Sequence, residues 1–252
     1  MAVITLLTDF GTTDSYVAEV KGVLLRAIPG ATVVDVTHGI SPGDVRAAAY
    51  VLGRAWRQFP EGTVHLAVVD PGVGSLRAAL AMRAHGHYFV GPDNGLFSEI
   101  LRDAEVEIVT LAEVDEAAPT FHGRDIFAPA AAALASGTSL HVLGTPFAGI
   151  PERLSTREPY HEGKTLIGEI VYIDRFGTLV TSFTPENLPD YATIEVEGVE
   201  VGKLRRTYAD VPTGGLLAYV GSGGQVEIGV RDGSASRRLG IGVGGKVRGR
   251  LG

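Results

Sequence analysis

Apolar and polar positions follow two different rhythms along this chain, and the rhythm changes once. In the first half, short continuous apolar runs alternate with stretches of helical spacing. VITLLTDF (3–10), ATVVDVT (31–37), TVHLAVVD (63–70), LAMRAHGHYFVG (80–91) and VEIVTL (106–111) read as strands. SYVAEVKGVLLRAI (15–28) predicts an amphipathic helix, capped by Asp14 or Ser15 and closed by Pro29-Gly30. A second helix over 41–59 starts after Ser41 with Pro42 in its first turn, and NGLFSEILRD (94–103) predicts a short one. The nearly uncharged, alanine-rich run 126–135 predicts a buried helix, with Asp125 as its cap and Arg124 paired to an acidic neighbour. Continuous apolar strands alternating with helices predict an α/β domain whose mostly parallel sheet is covered on both faces.

From about residue 165 the pattern becomes short alternating strands broken by glycine-rich turns, with no convincing helix. TLIGEIVYIDRFGTLVTSF, ATIEVEGVEV, GLLAYVGSGGQVEIGV and KVRGRLG predict a small antiparallel, barrel-like all-β domain. The Pro-, Gly- and charge-rich stretch between them reads as a linker. The expected organisation is therefore an α/β domain over 1–150, a linker over 151–164 and a β domain over 165–252.

Composition narrows the chemistry. A formal net charge of −7 with no basic run argues against nucleic acid or an anionic membrane as partner. The absence of cysteine removes disulfides, thiolate catalysis and Cys-based metal sites. No apolar run approaches a membrane span, and MAVITLLTDF lacks the basic start of a secretory signal, so a cytoplasmic location is the expectation.

Candidate chemistry gathers where the strands of the first domain end. Thr8-Asp9-Phe10-Gly11 with Asp14, Thr37-His38-Gly39, Asp70-Pro71-Gly72 and Gly91-Pro92-Asp93-Asn94-Gly95 each set an Asp or His beside glycine. Ligands of open α/β sheets bind beyond such carboxyl ends, and glycine lets the backbone come close to them. A single Asp after a strand is more often just a helix cap. Neither GxGxxG nor GxxxxGK[ST] is present, which argues against dinucleotide or P-loop chemistry. Asp9, Asp14 and Asp93 can be read as oxygen ligands of a metal, as in a metal-dependent phosphohydrolase. His85 and His87 have the look of a metal pair but read better as surface histidines.

Several motifs resemble one family in order along the chain. TDFGTTDSYVAEVKGVL, VVDVTHGISPGDV, AVVDPGVGS followed by Arg77, VGPDNGLFSEIL and PTFHGRDIFAPAAA are similar to those of the S-adenosylmethionine (SAM) hydroxide adenosyltransferases, relatives of the bacterial fluorinase and chlorinase. IDRFGTLVTSF and YVGSGGQVEIGVRDGSA carry the resemblance into the second domain. It implies an α/β domain followed by a β-barrel, and attack of water or hydroxide at C5′ of SAM to give adenosine and methionine without a cofactor. It also implies a homotrimer with sites between subunits. A non-catalytic adenosine-binding module is the remaining alternative.

The resemblance further implies roles for individual residues. Asp70, Arg77 and His122 match the set that marks the hydroxide branch, where halogenase relatives carry tyrosines in place of the Asp and His and a serine in place of Gly123. His122 would take the proton of the nucleophile, and Arg77 would supply a fixed positive charge. Asp9 matches the residue that accepts from both ribose hydroxyls, and Asp174 and Ser222 match positions holding the amino-acid end. Phe176 and Tyr208 would lie near adenine, whose edge the backbone from Arg231 to Gly233 would read. Three positions depart from the pattern: Thr178 replaces a common asparagine, Gly223 an arginine and Gly43 a tryptophan.

Overall fold

The computed structural model describes residues 2–102, 104–112, 114–155 and 158–251, which separate into two compact units, Met1–Leu154 and Ser155–Gly252. Among these residues, no helix is long and apolar enough to cross a membrane.

The first unit is built on seven strands: β1 (Val3–Thr8), β2 (Thr32–Thr37), β3 (Val64–Val68), β4 (Ala79–Ala84), β5 (His87–Pro92), β6 (Glu107–Leu111) and β7 (Gly144–Pro146). They form one sheet in the order β2-β1-β3-β5-β4-β6-β7. Helices α1 (Tyr16–Ala27), α2 (Val45–Ala55) and α3 (Ala128–Ala135) cover it. Every residue of β3 is buried, because its two faces feed two cores. Val64, Leu66 and Val68 pack with α1 and α3, whereas Ala67 and Val69 pack toward α2. Five residues of α3 are buried in eight, as suits a helix that is apolar all round.

The sheet is mixed rather than mostly parallel. Strands β2, β1, β3 and β5 run parallel, but β5–β4, β4–β6 and β6–β7 are antiparallel. The cause is local. His85 and Gly86 both take positive φ, 51° and 78°, and fold the run 80–91 into a two-residue hairpin. A loop that short can join only antiparallel neighbours.

Two helix boundaries also differ from the sequence pattern. Helix α2 begins at Val45, where Asp44 accepts from the Ala47 amide at 2.9 Å, and Gly43 at φ 75° keeps Ser41-Pro42 outside it. Over 94–102 there are turns instead of a helix, while Leu96, Phe97, Ile100 and Leu101 still enter the core; Asp103 lies outside the described residues. Asn94 explains the outcome, since its amide bonds the Val69 carbonyl and the Leu96 N–H and so anchors a turn.

The histidines near the hairpin form a structural cluster. His87 is buried, contrary to the surface reading, and its Nδ1 lies 3.2 Å from His65 Nε2, while His65 Nδ1 meets Thr5 Oγ1 at 2.8 Å. His85 is exposed as expected, with its ring stacked on Trp56 at 4.9 Å. Burial, with the neighbouring His87 charge, lowers the His65 pKa from 6.5 to about 3. Between those values the unfolded chain binds the proton and the folded chain does not. Stability therefore falls as pH drops from 6.5 toward 3, by at most about 1.4 kcal/mol per pH unit from this group. Urea titrations across that window should show a shallower slope for His65→Asn than for wild type; equal slopes would remove His65 as the cause.

The second unit holds β8 (Tyr160–Glu162), β9 (Thr165–Ile173), β10 (Leu179–Thr181), β11 (Thr193–Val196), β12 (Val199–Gly202), β13 (Leu204–Arg205), β14 (Leu216–Val220), β15 (Val226–Val230), α4 (Ala235–Leu239) and β16 (Lys246–Arg250). The strand order is β12-β11-β16-β9-β10-β15-β14-β13, with β8 beside β9. Long β9 makes the curl: residues 165–169 pair with β16 and residues 170–173 with β10. Gly168 lets Phe183 pack directly on this strand, because a Cβ there would lie 2.6 Å from the Phe183 ring. Contact of β12 with β14 nearly closes the barrel around Leu166, Phe183, Ile194 and Ile228.

Candidate active site

A cavity of about 670 Å³ opens in the first unit, walled by the segments that follow β1, β2 and β3 and by residues 120–123. Asp9, Asp70 and His122 all face it, so three sequence candidates from distant segments meet there. Phe10, Tyr16 and Phe121 form an aromatic wall, with edge-to-face contacts at 5.4 to 6.1 Å. Residue type and spacing do not mark these three as a wall; their only sequence signal is Phe10 and Tyr16 in the DFGTTDSY loop and Phe121 directly before His122.

Glycine brings the segments together. Gly74, at φ 76°, lies so close to Pro119 that a Cβ would stand 2.8 Å from its carbonyl oxygen. The 70–77 loop can thus lie against the 117–122 segment, and Arg77 reaches His122. His122 itself precedes a π-turn, Gly123–Phe127, that leads into α3. Such wide turns recur at functional sites because they re-aim side chains. Gly123 packs on Phe10, where a Cβ would stand 3.3 Å from the ring.

Arg77 bridges the other two. Its Nε donates to Asp70 Oδ1 at 3.0 Å, and its Nη2 donates both to Asp70 Oδ2 and to His122 Nδ1, the latter at 2.9 Å. The Asp70 and Arg77 side chains are only 6% and 10% exposed. The guanidinium also packs over the Phe127 ring at 5.2 Å. Unlike its two partners, Arg77 stands behind the cavity wall.

The bridge fixes the imidazole tautomer. Arginine can only donate, so His122 Nδ1 is an acceptor and Nε2 carries the hydrogen. A base role at Nδ1 is closed while this contact lasts. Burial lowers the His122 pKa and the Arg77 charge adds to that, outweighing Asp70 and Asp125, so the ring is neutral at pH 7.

Asp125 does not cap α3. It sits inside the π-turn, where it accepts from the Ala118 amide at 2.9 Å and pairs with Arg124 at 2.7 Å. Arg124 reaches on to Glu19 of α1 at 2.8 Å. These two charges therefore pin the loop ahead of His122, through a partner 105 residues away that spacing could not reveal.

Asp9, Asp14 and Asp93 are not assembled as a metal site. Asp9 accepts from the Gly43 amide at 2.7 Å, Asp93 accepts from the Glu152 amide at 2.8 Å, and Asp14 is exposed. Among the described residues, no group of three or more His, Cys, Asp or Glu is placed to hold a metal.

The second unit carries its own concavity of about 540 Å³, lined by Asp174, Phe176, Thr178, Tyr208 and Gly233 among others. Asp174 Oδ1 accepts from the amides of Phe176 and Thr178, at 2.9 and 2.8 Å, so this residue also builds the turn it stands on. Tyr208 Oη meets Tyr219 Oη at 2.7 Å, and Tyr219 donates to Glu227 at 2.7 Å. Burial and those bonds push the Tyr219 phenol up, keeping it protonated. Gly229 lies beneath Tyr208, where a Cβ would come within 2.7 Å of the phenol oxygen. Ser222 and Arg231 fall outside the lining; Arg231 instead bonds the Val211 carbonyl at 2.9 Å.

Comparison with known proteins assigns both units. The N-terminal domain of the SAM hydroxide adenosyltransferase family matches residues 4–144, and its C-terminal domain matches residues 168–248. An (R)-S-adenosyl-L-methionine hydrolase from Thermus thermophilus is 42% identical over 98% of this chain and 99% of its own. A protein of the same name from Salinispora arenicola is 39% identical, covering 97% and 96%. The crystal structure of a conserved protein from Thermotoga maritima superposes with a TM-score of 0.90 at 36% identity, covering 98% and 99%. This chain belongs to the SAM hydroxide adenosyltransferase family.

Proposed function

We propose that this protein hydrolyses SAM, water attacking C5′ as the C5′–S bond breaks, to give adenosine, methionine and one proton. The observation that carries this reading is the Asp70–Arg77–His122 constellation at the cavity, a carboxylate and an imidazole joined by a guanidinium behind them. The sulfonium loses its charge in the transition state, so the weakly polar wall of Phe10, Tyr16 and Phe121 favours the transition state over the charged ground state. Alignment of water, C5′ and sulfur supplies up to about 7–11 kcal/mol more. Incubation with SAM in the presence of EDTA should yield equal amounts of adenosine and methionine. Activity that appears only with added Mg²⁺ or Mn²⁺ would favour a phosphohydrolase-like metal site, and tight nucleoside binding without turnover a binding module.

Tautomer and charge divide the labour. His122 Nε2–H donates to the water oxygen and orients it, and the Asp70 carboxylate accepts the departing proton. The water becomes strongly acidic only as its bond to C5′ forms, so a carboxylate is base enough at that moment. His122→Gln, which keeps an N–H donor, should retain turnover within about 10-fold, whereas His122→Ala should lose about 100-fold or more. Equal losses in both variants would return the base role to His122. Because the neutral ring is the active form and its pKa is lowered, kcat/KM should hold through pH 7 and decline only below 6.5, and this acid limb should vanish in His122→Gln.

Binding follows the same logic. Asp9 offers its carboxylate to the ribose diol, as carboxylates do in ribose recognition generally. In the second unit, Asp174 suits the substrate ammonium, and Phe176 and Tyr208 present faces to adenine with Thr178 and the Gly233 backbone beside them. Ser222 and Arg231 are assigned to the amino-acid end and the adenine edge on the family pattern alone. Each catalytic cavity is completed by a neighbouring copy in a homotrimer. Fully exposed Leu76, in the loop between Asp70 and Arg77, and exposed Phe176 are apolar groups that such a neighbour would cover. Light scattering should return the mass of three chains.

A further inference from the structure

The end of β1 carries a buried polar chain that the displacement reaction does not require. Thr8 is fully buried and His38 nearly so, and Thr8 Oγ1 lies 2.8 Å from His38 Nδ1. On the other side, His38 Nε2 stands 3.1 Å from Asp35 Oδ1, close enough for an ion pair but off the line of a well-formed hydrogen bond. Asp35 Oδ2 accepts from Lys21 Nζ at 2.7 Å. Burial works to raise the Asp35 carboxyl, but the Lys21 bond and the adjacent His38 ring outweigh it and hold it below its usual range. A carboxylate beside Nε2 favours the hydrogen on that nitrogen, which leaves Nδ1 to accept from the Thr8 hydroxyl. Thr8 Oγ1 in turn accepts from the Phe10 amide at 3.2 Å.

Two backbone bonds run alongside. The Gly11 amide donates to the His38 carbonyl at 2.9 Å, and the Gly43 amide donates to Asp9 Oδ2 at 2.7 Å. The turn after β1 is thus stitched to the segment after β2, and Asp9 lies within the stitch, on the cavity wall. The Phe10 and Gly11 amides tie the backbone on the far side of Asp9 to Thr8 and His38, and the Gly43 amide holds the Asp9 carboxylate itself.

We propose that His38 is a positioning residue for substrate recognition: through Thr8 it fixes the 8–11 turn and directs the Asp9 carboxylate at the ribose diol of bound SAM. The inference rests on the ribose-binding reading of Asp9 given above. Carboxylate recognition of a diol is directional, so a small rotation of the turn weakens substrate binding and blunts the preference for a 2′-hydroxyl, without touching the reacting atoms.

The test compares kcat/KM for SAM with that for its 2′-deoxyadenosyl analogue. Wild type should prefer SAM, and Asp9→Asn should erase most of that preference; failure of either result refutes the ribose reading of Asp9 whatever His38 does. Given both, Thr8→Val and His38→Leu should raise KM for SAM by about 3–10-fold, with kcat nearly unchanged and the preference shrinking toward that of Asp9→Asn. His38→Asn, whose amide oxygen can take the place of Nδ1, should keep the preference. A purely structural role would lower the thermal midpoint and leave the preference intact. Folded Thr8→Val with wild-type KM and preference overturns the proposal, and this volume-conserving variant decides alone if His38→Leu does not fold.

Discussion

Asp70→Asn lowers kcat for SAM by about 10²–10⁴-fold with KM changed far less, the range expected when a positioned proton acceptor is lost. Asparagine keeps the shape of the side chain at the cavity wall but accepts the water proton far less readily. It also leaves the Arg77 guanidinium, 10% exposed, without its charge partner, so part of the loss could come from a loosened fold. The double variant Asp70→Asn/Arg77→Met separates the two effects. It removes both charges from the interior, and so should recover most of the stability that Asp70→Asn loses while recovering no turnover. If the double variant regained activity together with stability, Asp70 would be a scaffold residue and the proton would leave by another path.

Arg77→Met has the largest expected effect on the fold. Asp70 is 6% exposed and accepts from Arg77 through both carboxylate oxygens. Breaking a buried pair from one side leaves an uncompensated charge and typically costs about 3–5 kcal/mol. The stem of methionine fills much of the same space over Phe127, so a cavity contributes little. Urea unfolding should show a lower midpoint with an unchanged slope. Turnover should fall as well, since His122 Nδ1 loses its donor and the imidazole is then free to change tautomer. A loss under about 1 kcal/mol would mean that the pair behaves as an exposed one, with solvent reaching it freely.

What could be read from the sequence divides along physical lines. Period and composition report which faces are buried, and they located the α/β and β segments and the polar strand ends holding Asp9 and Asp70. They do not report strand direction. That turned on His85 adopting a left-handed φ, uncommon for any residue but glycine and not announced by the hydrophobic pattern. Nor do they see a partner far along the chain. Asp125 has the spacing of a cap, yet Ala118, Arg124 and, through Arg124, Glu19 claim it. His122 was visible as a catalytic candidate, but its tautomer depends on which arginine nitrogen faces Nδ1, a matter of three-dimensional contact alone. In the second unit the pattern named Asp174, Phe176, Thr178, Tyr208 and Gly233, which the fold gathers around one concavity, along with Ser222 and Arg231, which it does not.

Turnover of SAM in H₂¹⁸O tests hydrolysis at C5′ most directly. Mass spectrometry should find one solvent oxygen in the adenosine, at the 5′-hydroxyl, and none in the methionine. Adenosine without the label, or consumption of SAM with no adenosine formed, would contradict attack of water at C5′.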